Sequence, residues 1–201
     1  MDNITHSLTG ALAAKVIQKE NLSVADQTRY RRTLFWLLVL CANLPDIDVL
    51  LGLFGNRLFS LQHHRGITHS LIFAPIFALV PTAFFYTLGK LKNFNLLWFT
   101  ALLGIVIHIF FDLITAFGTQ IFAPISTARY SLDWMFIIDP IFTAILGMTL
   151  FLGRILSRHR KKIIFSGTIV ILLYLSAEVV SHSVAHKRLE GILEKKNILA
   201  T

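Results

Sequence analysis

Histidine and aspartate side chains recur in short motifs over the first two-thirds of the chain. The motifs are Thr5-His6, Pro45-Asp46-Ile47-Asp48, His63-His64-Arg65-Gly66-Ile67-Thr68-His69-Ser70, and His108 with Asp112. Imidazole nitrogens and carboxylate oxygens together are the ligand set of zinc and similar divalent cations. The pattern predicts a metal site whose ligands are His6, Asp46, Asp48, His64, His69, His108 and Asp112.

The spacing within two of these motifs supports a shared site. His108 and Asp112 are four residues apart, which places both on one face of a helix. Gly66 permits a tight turn that would fold His64 back toward His69. His63 is the weaker ligand candidate of its adjacent pair.

Each motif also has a structural interpretation. The start Asn3-Ile4-Thr5-His6 could be a helix cap made by Asn3 or Thr5, and His108 and Asp112 could simply bond to each other. The two aspartates after Pro45 could form a polar helix end, and the histidine-rich run could be an interfacial loop. Charged groups in apolar helices cost about 2.5 to 3.5 kcal/mol each on insertion, which favours the ligand interpretation.

The composition is that of a membrane protein. Of 201 residues, 55% are hydrophobic and only 15% are charged. We expect an all-α, polytopic membrane bundle with five to six transmembrane or membrane-inserted helices. The predicted spans are about 34–54, 70–89, 94–116, 134–153 and 163–181, with a weaker segment at 3–19 and a polar connector at 20–33. Pro45 should break the first strong span.

The arrangement of charges predicts one-sided placement of the site. Lys and Arg are more numerous on the side of Lys15, Lys90 and Arg154, which the positive-inside rule makes cytoplasmic. The predicted ligands fall at the opposite helix ends, toward the periplasm. The net charge of +8 is explained by this flanking, so nucleic acid is not an expected partner. The single Cys41 excludes an internal disulfide, and the N-terminus lacks the basic start of a signal peptide.

The chain is expected to form one integral-membrane domain over residues 1–201. Its motif-bearing core covers residues 1–145, and an extra helix and tail cover 163–201. Asp139, before Pro140, is a candidate for orienting a ligand, and Asp133 could start a helix. Glu178, His182 and His186 share one helix stripe, but a polar helix end accounts for them.

The motifs resemble those of a bacterial family of LexA-regulated inner-membrane proteins regarded as metal-dependent hydrolases. The family features are an N-terminal Thr-His, a Pro-Asp-x-Asp, a His-Arg-Gly-x-Thr-His-Ser, a His-x-x-x-Asp and a later Asp-Pro. They fall here at Thr5-His6, Pro45 to Asp48, His64 to Ser70, His108 to Asp112 and Asp139-Pro140. A looser similarity links the family to zinc-dependent phospholipases C and P1-type nucleases, which implies phosphoester hydrolysis.

These observations predict a membrane-embedded, metal-dependent hydrolase in the bacterial inner membrane. Its expected substrate is a phosphoester of a lipid or lipid-linked molecule at the periplasmic leaflet, and its expected cofactor is zinc, with two or more ions. Asp46 or Asp48 could act as general base, Arg65 could hold a phosphate oxygen, and Asp139 could orient a histidine. The alternatives are an ion or proton transporter and a catalytically silent adaptor with a structural metal.

Overall fold

The computed structural model describes residues 1–17, 24–53, 64–89 and 91–195, which form an all-helical protein. The α-helices of this part are α1 (Asn3–Val16), α2 (Val24–Cys41), α3 (Ala74–Phe77), α4 (Leu79–Leu88), α5 (Phe94–Leu113), α6 (Pro140–Ile155) and α7 (Arg160–Lys195). Short 3-10 helices cover Leu44–Leu53, Ile67–His69 and Ser157–His159. The described residues contain no β-strand apart from two isolated bridges. The predicted all-α class is confirmed.

Helix α1 begins with a side-chain cap and packs in the middle of the bundle. The Asp2 carboxylate accepts hydrogen bonds from the backbone amides of Ile4 and Thr5, both at 3.0 Å. The helix cap is therefore Asp2, and not Asn3 or Thr5 as the structural interpretation of this motif predicted. Helix α1 packs against α2, α5, α6 and α7.

The backbone breaks where Pro45 predicts it. Helix α2 ends at Cys41, and a 3-10 helix over Leu44–Leu53 carries Asp46 and Asp48. Proline has no amide proton and clashes with the preceding turn, so an α-helix cannot continue through it. The predicted connector at 20–33 is wrong from residue 24 onward, because α2 already begins at Val24. The basic run in this segment is helical.

A long non-helical segment, residues 114–139, separates α5 from α6. The predicted span 134–153 therefore starts too early, since Asp139 caps a helix that begins only at Pro140. The segment packs on the histidine-rich turn: the Gln120 amide donates to the Arg65 carbonyl at 3.0 Å. Ser70 donates its hydroxyl proton to the Ala123 carbonyl at 2.5 Å. This packing holds the turn at the end of α5.

Two helices of the described chain are long and apolar enough to cross a membrane. They are Phe94–Leu113 and Ser157–Lys195. The apolar helices Ala74–Leu88 and Pro140–Ile155 are shorter, and the 16 residues of α6 extend only about 24 Å against a hydrocarbon thickness of about 30 Å. The prediction of five to six spans is not confirmed.

Two glycines let helices α1 and α5 approach α2 closely. A Cβ atom at Gly10 of α1 would lie 2.8 Å from the Leu38 carbonyl oxygen. A Cβ atom at Gly104 of α5 would lie 2.7 Å from the Cys41 Cβ. Helix α2 is thus pressed between α1 and α5, which brings the His6 end of α1 and the His108 end of α5 to the end of α2.

We predict that Gly104→Ala destabilises the protein by about 1 to 3 kcal/mol, because the added methyl group forces α5 away from α2. The measurement is thermal unfolding of the detergent-solubilised protein. Gly147→Ala in α6 is the matched control, since within the described residues nothing lies within 4 Å of an added Cβ. The control should keep or raise the unfolding temperature, as alanine favours a helix by about 1 kcal/mol over glycine. Equal stability of both variants would contradict the close packing.

Candidate metal centre

Four ligand atoms from three separate segments meet at the end of α5. They belong to Asp46, His69, His108 and Asp112, and all lie within 4.8 Å of one another. The His69 Nε2 atom lies 3.1 Å from His108 Nε2, 3.1 Å from Asp112 Oδ2 and 3.4 Å from Asp46 Oδ1. The His108 Nε2 atom lies 3.5 Å and 3.6 Å from the same two oxygens. Tetrahedral bonds of about 2.0–2.1 Å put ligand atoms about 3.3–3.4 Å apart, so this spacing fits a zinc-sized ion.

Hydrogen bonds to the far side of each ring orient the two imidazoles. The His108 Nδ1 atom lies 2.7 Å from the Ala42 carbonyl oxygen, which can only accept, so Nδ1 carries the proton. Thr68 donates its hydroxyl proton to Asp48 at 2.8 Å, and its oxygen lies 2.9 Å from His69 Nδ1, which then donates. In the neutral rings both Nε2 atoms therefore present lone pairs to each other. These facing lone pairs repel each other, and either a proton on one ring or a metal ion bound by both would remove the repulsion.

A second ligand group adjoins the first and shares one carboxylate with it. Asp46, Asp48 and His64 offer ligand atoms within 4.8 Å of one another. The His64 Nδ1 atom lies 2.9 Å from Asp48 Oδ1. The side chain of His64 is 23% exposed, whereas that of Asp48 is only 2% exposed. The second group therefore lies nearer the protein surface.

Asp112 is the point where the cationic groups of the centre converge. Its Oδ1 atom contacts the Met1 amino group and lies 3.2 Å from His6 Nε2. Its Oδ2 atom lies 2.9 Å from Arg65 Nε. His6 also stacks on His108, with ring centroids 3.8 Å apart. Within the described chain, the buried His6 Nδ1 atom has no hydrogen-bond partner, whereas both Asp112 oxygens have cationic neighbours.

The electrostatics of the centre favour a bound cation. Burial alone would raise the pKa of Asp46 and Asp48, but hydrogen bonds from His69 and His64 respectively lower the pKa of each carboxyl. Burial would lower the pKa of His69, yet the carboxylates of Asp112 and Asp46 raise it. Among the described residues, the three carboxylates of Asp46, Asp48 and Asp112 thus face two cationic groups besides the histidines, the Arg65 guanidinium and the Met1 amino group.

Arg65, rather than Gly66, takes the left-handed backbone conformation of the turn. Its φ angle is 60°, a strained value for a residue with a side chain. The Arg65 amide donates to Asp48 Oδ2 at 3.1 Å, and its guanidinium donates to the Thr115 hydroxyl at 2.9 Å. These bonds hold the turn so that the His64 and His69 rings lie 5.7 Å apart. His64 is therefore folded back toward His69 as predicted, but the conformation of Arg65 produces this turn and not that of Gly66.

The structure brings the predicted ligands together. Six of them form the two ligand groups, namely Asp46, Asp48, His64, His69, His108 and Asp112. His6 belongs to neither group and lies 3.2 Å from Asp112 through its Nε2 atom. Arg65 is 2% exposed and pairs with Asp112, so its predicted contact with a phosphate oxygen stays a prediction. His63 lies outside the described residues.

Asp139 lies at the start of α6 and has structural partners. Its carboxylate accepts from the Phe142 amide and from the Tyr174 hydroxyl, both at 2.8 Å. Thr143, one turn further, bonds to Thr5 beside His6 at 2.7 Å. A direct role of Asp139 on a histidine therefore stays a prediction. Asp133 is exposed in the loop and does not start a helix.

Several side chains that surround the centre were not predicted from the sequence to belong to it. The Thr68 hydroxyl contacts the His69 ring, and the Thr115 hydroxyl accepts a hydrogen bond from the Arg65 guanidinium. Thr115 follows Asp112 by three residues. Phe117 is contacted by the His64 ring at 5.6 Å and by the Arg65 guanidinium at 4.9 Å. The guanidinium of Arg129 lies 5.7 Å from the same Phe117 ring and donates to the His64 carbonyl at 3.0 Å. Among these side chains, only Thr115 could have been linked to the centre from the local sequence, because it lies three residues after Asp112.

The fold and this cluster define a helical membrane protein with a buried centre of histidine and aspartate ligands. Residues 1–185 match the sequence model of the family described as YdjM inner membrane protein, and the chain belongs to that LexA-regulated family. The resemblance drawn from the motifs is confirmed. The looser similarity to phospholipases C and nucleases has no support, and no solved structure matches the chain.

A relative from Bacillus subtilis (strain 168) is described as Uncharacterized protein YfhP. It is 34% identical over 96 residues, which is 48% of this chain. The matched region covers 29% of that protein, so the chain spans less than a third of its length.

We predict that the purified protein holds a divalent metal ion and that His69→Ala and His108→Ala lose most of it, because each removes a ligand of the four-atom group. Elemental analysis gives the metal-to-protein ratio. Chelator should lower the unfolding temperature of the unaltered protein but not of the two variants. His186→Ala, on an exposed part of α7, is the control and should keep its metal. Equal metal content in all four proteins would contradict the assignment.

We further predict that Thr68→Val weakens metal binding about 10- to 100-fold, since His69 loses the partner that orients its ring. Competition with a fluorescent metal indicator measures the affinity. Thr82→Val is the matched control, because within the described chain the buried Thr82 hydroxyl has no hydrogen-bond partner. Unchanged affinity in Thr68→Val would show that the Thr68 hydroxyl does not support the site.

Proposed function

We propose that this protein is a membrane-embedded, metal-dependent hydrolase of a phosphoester in a lipid or lipid-linked substrate, acting at the periplasmic leaflet. The observation that carries the proposal is the pair of adjoining ligand groups that share Asp46. Sites with two neighbouring divalent ions are common in enzymes that cleave phosphoesters. A divalent ion held there would polarise a phosphoryl oxygen and lower the pKa of a bound water toward about 7.

The two groups differ in a way that suits a division of roles. The group of Asp46, His69, His108 and Asp112 supplies four protein ligands and is deeply buried, which is typical of a closed, structural site. The group of Asp46, Asp48 and His64 supplies three, which leaves a tetrahedral position for water or substrate. Its His64 is partly exposed. We place the reaction at this second group.

The residues beside His64 suit an anionic substrate. Arg129 is exposed, and its guanidinium donates to the His64 carbonyl at 3.0 Å. Arginine presents a planar fork that matches phosphate geometry. Arg65 lies deeper and neutralises Asp112, so its role in this mechanism is to position that carboxylate. Asp48 holds His64 and, through Thr68, His69, so it connects the two groups in addition to the shared Asp46.

The adaptor alternative predicts metal without catalysis. It would require that only the four-ligand group binds an ion. The transporter alternative predicts metal movement across the membrane, which needs polar groups leading to both faces. Zinc remains the expected ion, since its preferred ligands and bond lengths match the first group.

We predict that the protein in lipid vesicles hydrolyses a phospholipid or lipid-linked phosphate, and that Asp48→Asn lowers the rate at least about a hundredfold. Asn keeps the shape of the side chain but removes the charge that holds His64. Release of the phosphorylated headgroup or of phosphate measures the rate, with chelator as a second arm. Asp133→Asn, on the exposed loop, is the matched control.

Three results would reject parts of this proposal. A metal-loaded protein that cleaves none of the tested phosphoesters, and whose metal occupies only the four-ligand group, would support the structural adaptor. Uptake of metal ions into the vesicles would support the transporter. Equal rates in Asp48→Asn and the unaltered protein would remove the second group from the mechanism.

A further inference from the structure

A basic cavity of about 840 Å³ lies at the opposite end of the bundle from the metal centre. Its cationic lining comes from the end of α1, from α2 and from the connection between α6 and α7. The side chains are Lys15, Arg31, Arg158, His159, Arg160, Lys161 and Lys162. Lys15 follows His6 by nine residues, so the cavity begins about 14 Å further along α1. The two sites therefore face opposite ends of the protein.

The described lining of this cavity contains no Asp or Glu. Six Lys and Arg side chains therefore line one space, where a bound anion would relieve the repulsion between them. The Arg31 Nε atom is buried and, among the described residues, has no hydrogen-bond partner. A phosphate oxygen in the cavity would supply an acceptor for this guanidinium nitrogen.

Membrane orientation alone does not explain this arrangement. The positive-inside rule requires basic residues near the ends of the spans, where they can extend into water. Some of these side chains are exposed as that rule requires, but residues from three regions of the chain also converge on one cavity. The Arg160 Nε donates to the Gly153 carbonyl at 3.2 Å, which ties the start of α7 to α6 beside this cavity. Convergence is a feature of a binding site.

The apolar part of the lining indicates a lipid. Val16, Ile164 and Phe165 line the cavity beside the basic groups, and Phe165 is 69% exposed. From there the outer face of α7 continues apolar through Leu172, which is 58% exposed, and Leu173, which is 64% exposed. A phosphate group in the cavity would thus leave its acyl chains against α7.

We infer that this cavity binds the phosphate of an anionic membrane lipid, with the headgroup among the Lys and Arg side chains and the acyl chains along α7. Basic pockets between helices on the cytoplasmic side are known to bind such headgroups. The site is separate from the metal centre. It would hold its lipid whether or not the centre is a hydrolase.

The test uses the full chain in detergent, titrated with phosphatidylglycerol, phosphatidylcholine or glycerol 3-phosphate. Native mass spectrometry counts the bound molecules, and the unfolding temperature gives the apparent affinity. We expect phosphatidylglycerol to bind and Arg31→Gln to weaken its binding about tenfold. Arg158→Gln with Lys162→Gln is the second variant, because both side chains are exposed and their loss leaves the packing intact. Lys187→Gln with Arg188→Gln, on the far end of α7, is the control with the same loss of charge.

The outcomes separate a lipid site from its rivals. Loss of phosphatidylglycerol binding in the cavity variants alone supports the inference. Binding of glycerol 3-phosphate as tightly as phosphatidylglycerol would overturn the lipid and leave a site for a soluble phosphate. Equal weakening in the control, or equal binding of phosphatidylcholine, would overturn the site itself, since only overall charge or general lipid contact would then matter.

Discussion

The buried charge of Asp112 is the constraint on which the rest of this structure depends. A carboxylate inside an apolar bundle is destabilising by several kcal/mol unless it is paired. Three of its partners come from distant parts of the sequence: His6 from α1, and Arg65 and His69 from the turn before α3. The fourth partner, His108, lies one turn away on the same helix. These segments must dock together for the charge to be compensated. The candidate metal centre is therefore also the point that fixes the arrangement of the helices.

Close packing of the helices makes this convergence geometrically possible. In a membrane there is little hydrophobic force between helices, so association relies on small residues that let backbones approach. Gly10 and Gly104 supply that approach on either side of α2. The Ala42 carbonyl at the end of α2 then reaches His108 Nδ1 at 2.7 Å. A wider separation would remove this bond and, with it, the orientation of the ring.

The sequence predicted which histidines and aspartates cluster better than it predicted where the helices begin and end. Spacing of four residues placed His108 and Asp112 on one face, and Pro45 placed Asp46 and Asp48 at a break, because these relations are local. The predicted helix boundaries are wrong where contacts between distant parts of the chain determine the structure. Residues 114–116 and 134–139 were predicted as parts of two spans, yet they belong to the non-helical segment 114–139. This segment folds over the His64 turn through bonds such as Gln120 to Arg65. No local pattern encodes that pairing. Thr68 and Arg129 escaped for the same reason, since their importance depends on partners far away in the chain.

The interior between the two polar ends bears on what the protein can do. The described residues along the middle of α2 and α5 include Leu34, Leu37, Leu38, Ala101 and Ile105, all at most 2% exposed. A transporter would need hydrated or ionisable groups through this region, because an ion cannot cross packed aliphatic side chains without a large loss of solvation free energy. A hydrolase needs access from one side only. The histidines and carboxylates at one end of α1, the aliphatic layer beside it and the basic cavity at the other end fit that one-sided arrangement. This packing is the physical reason for preferring a hydrolase over a transporter.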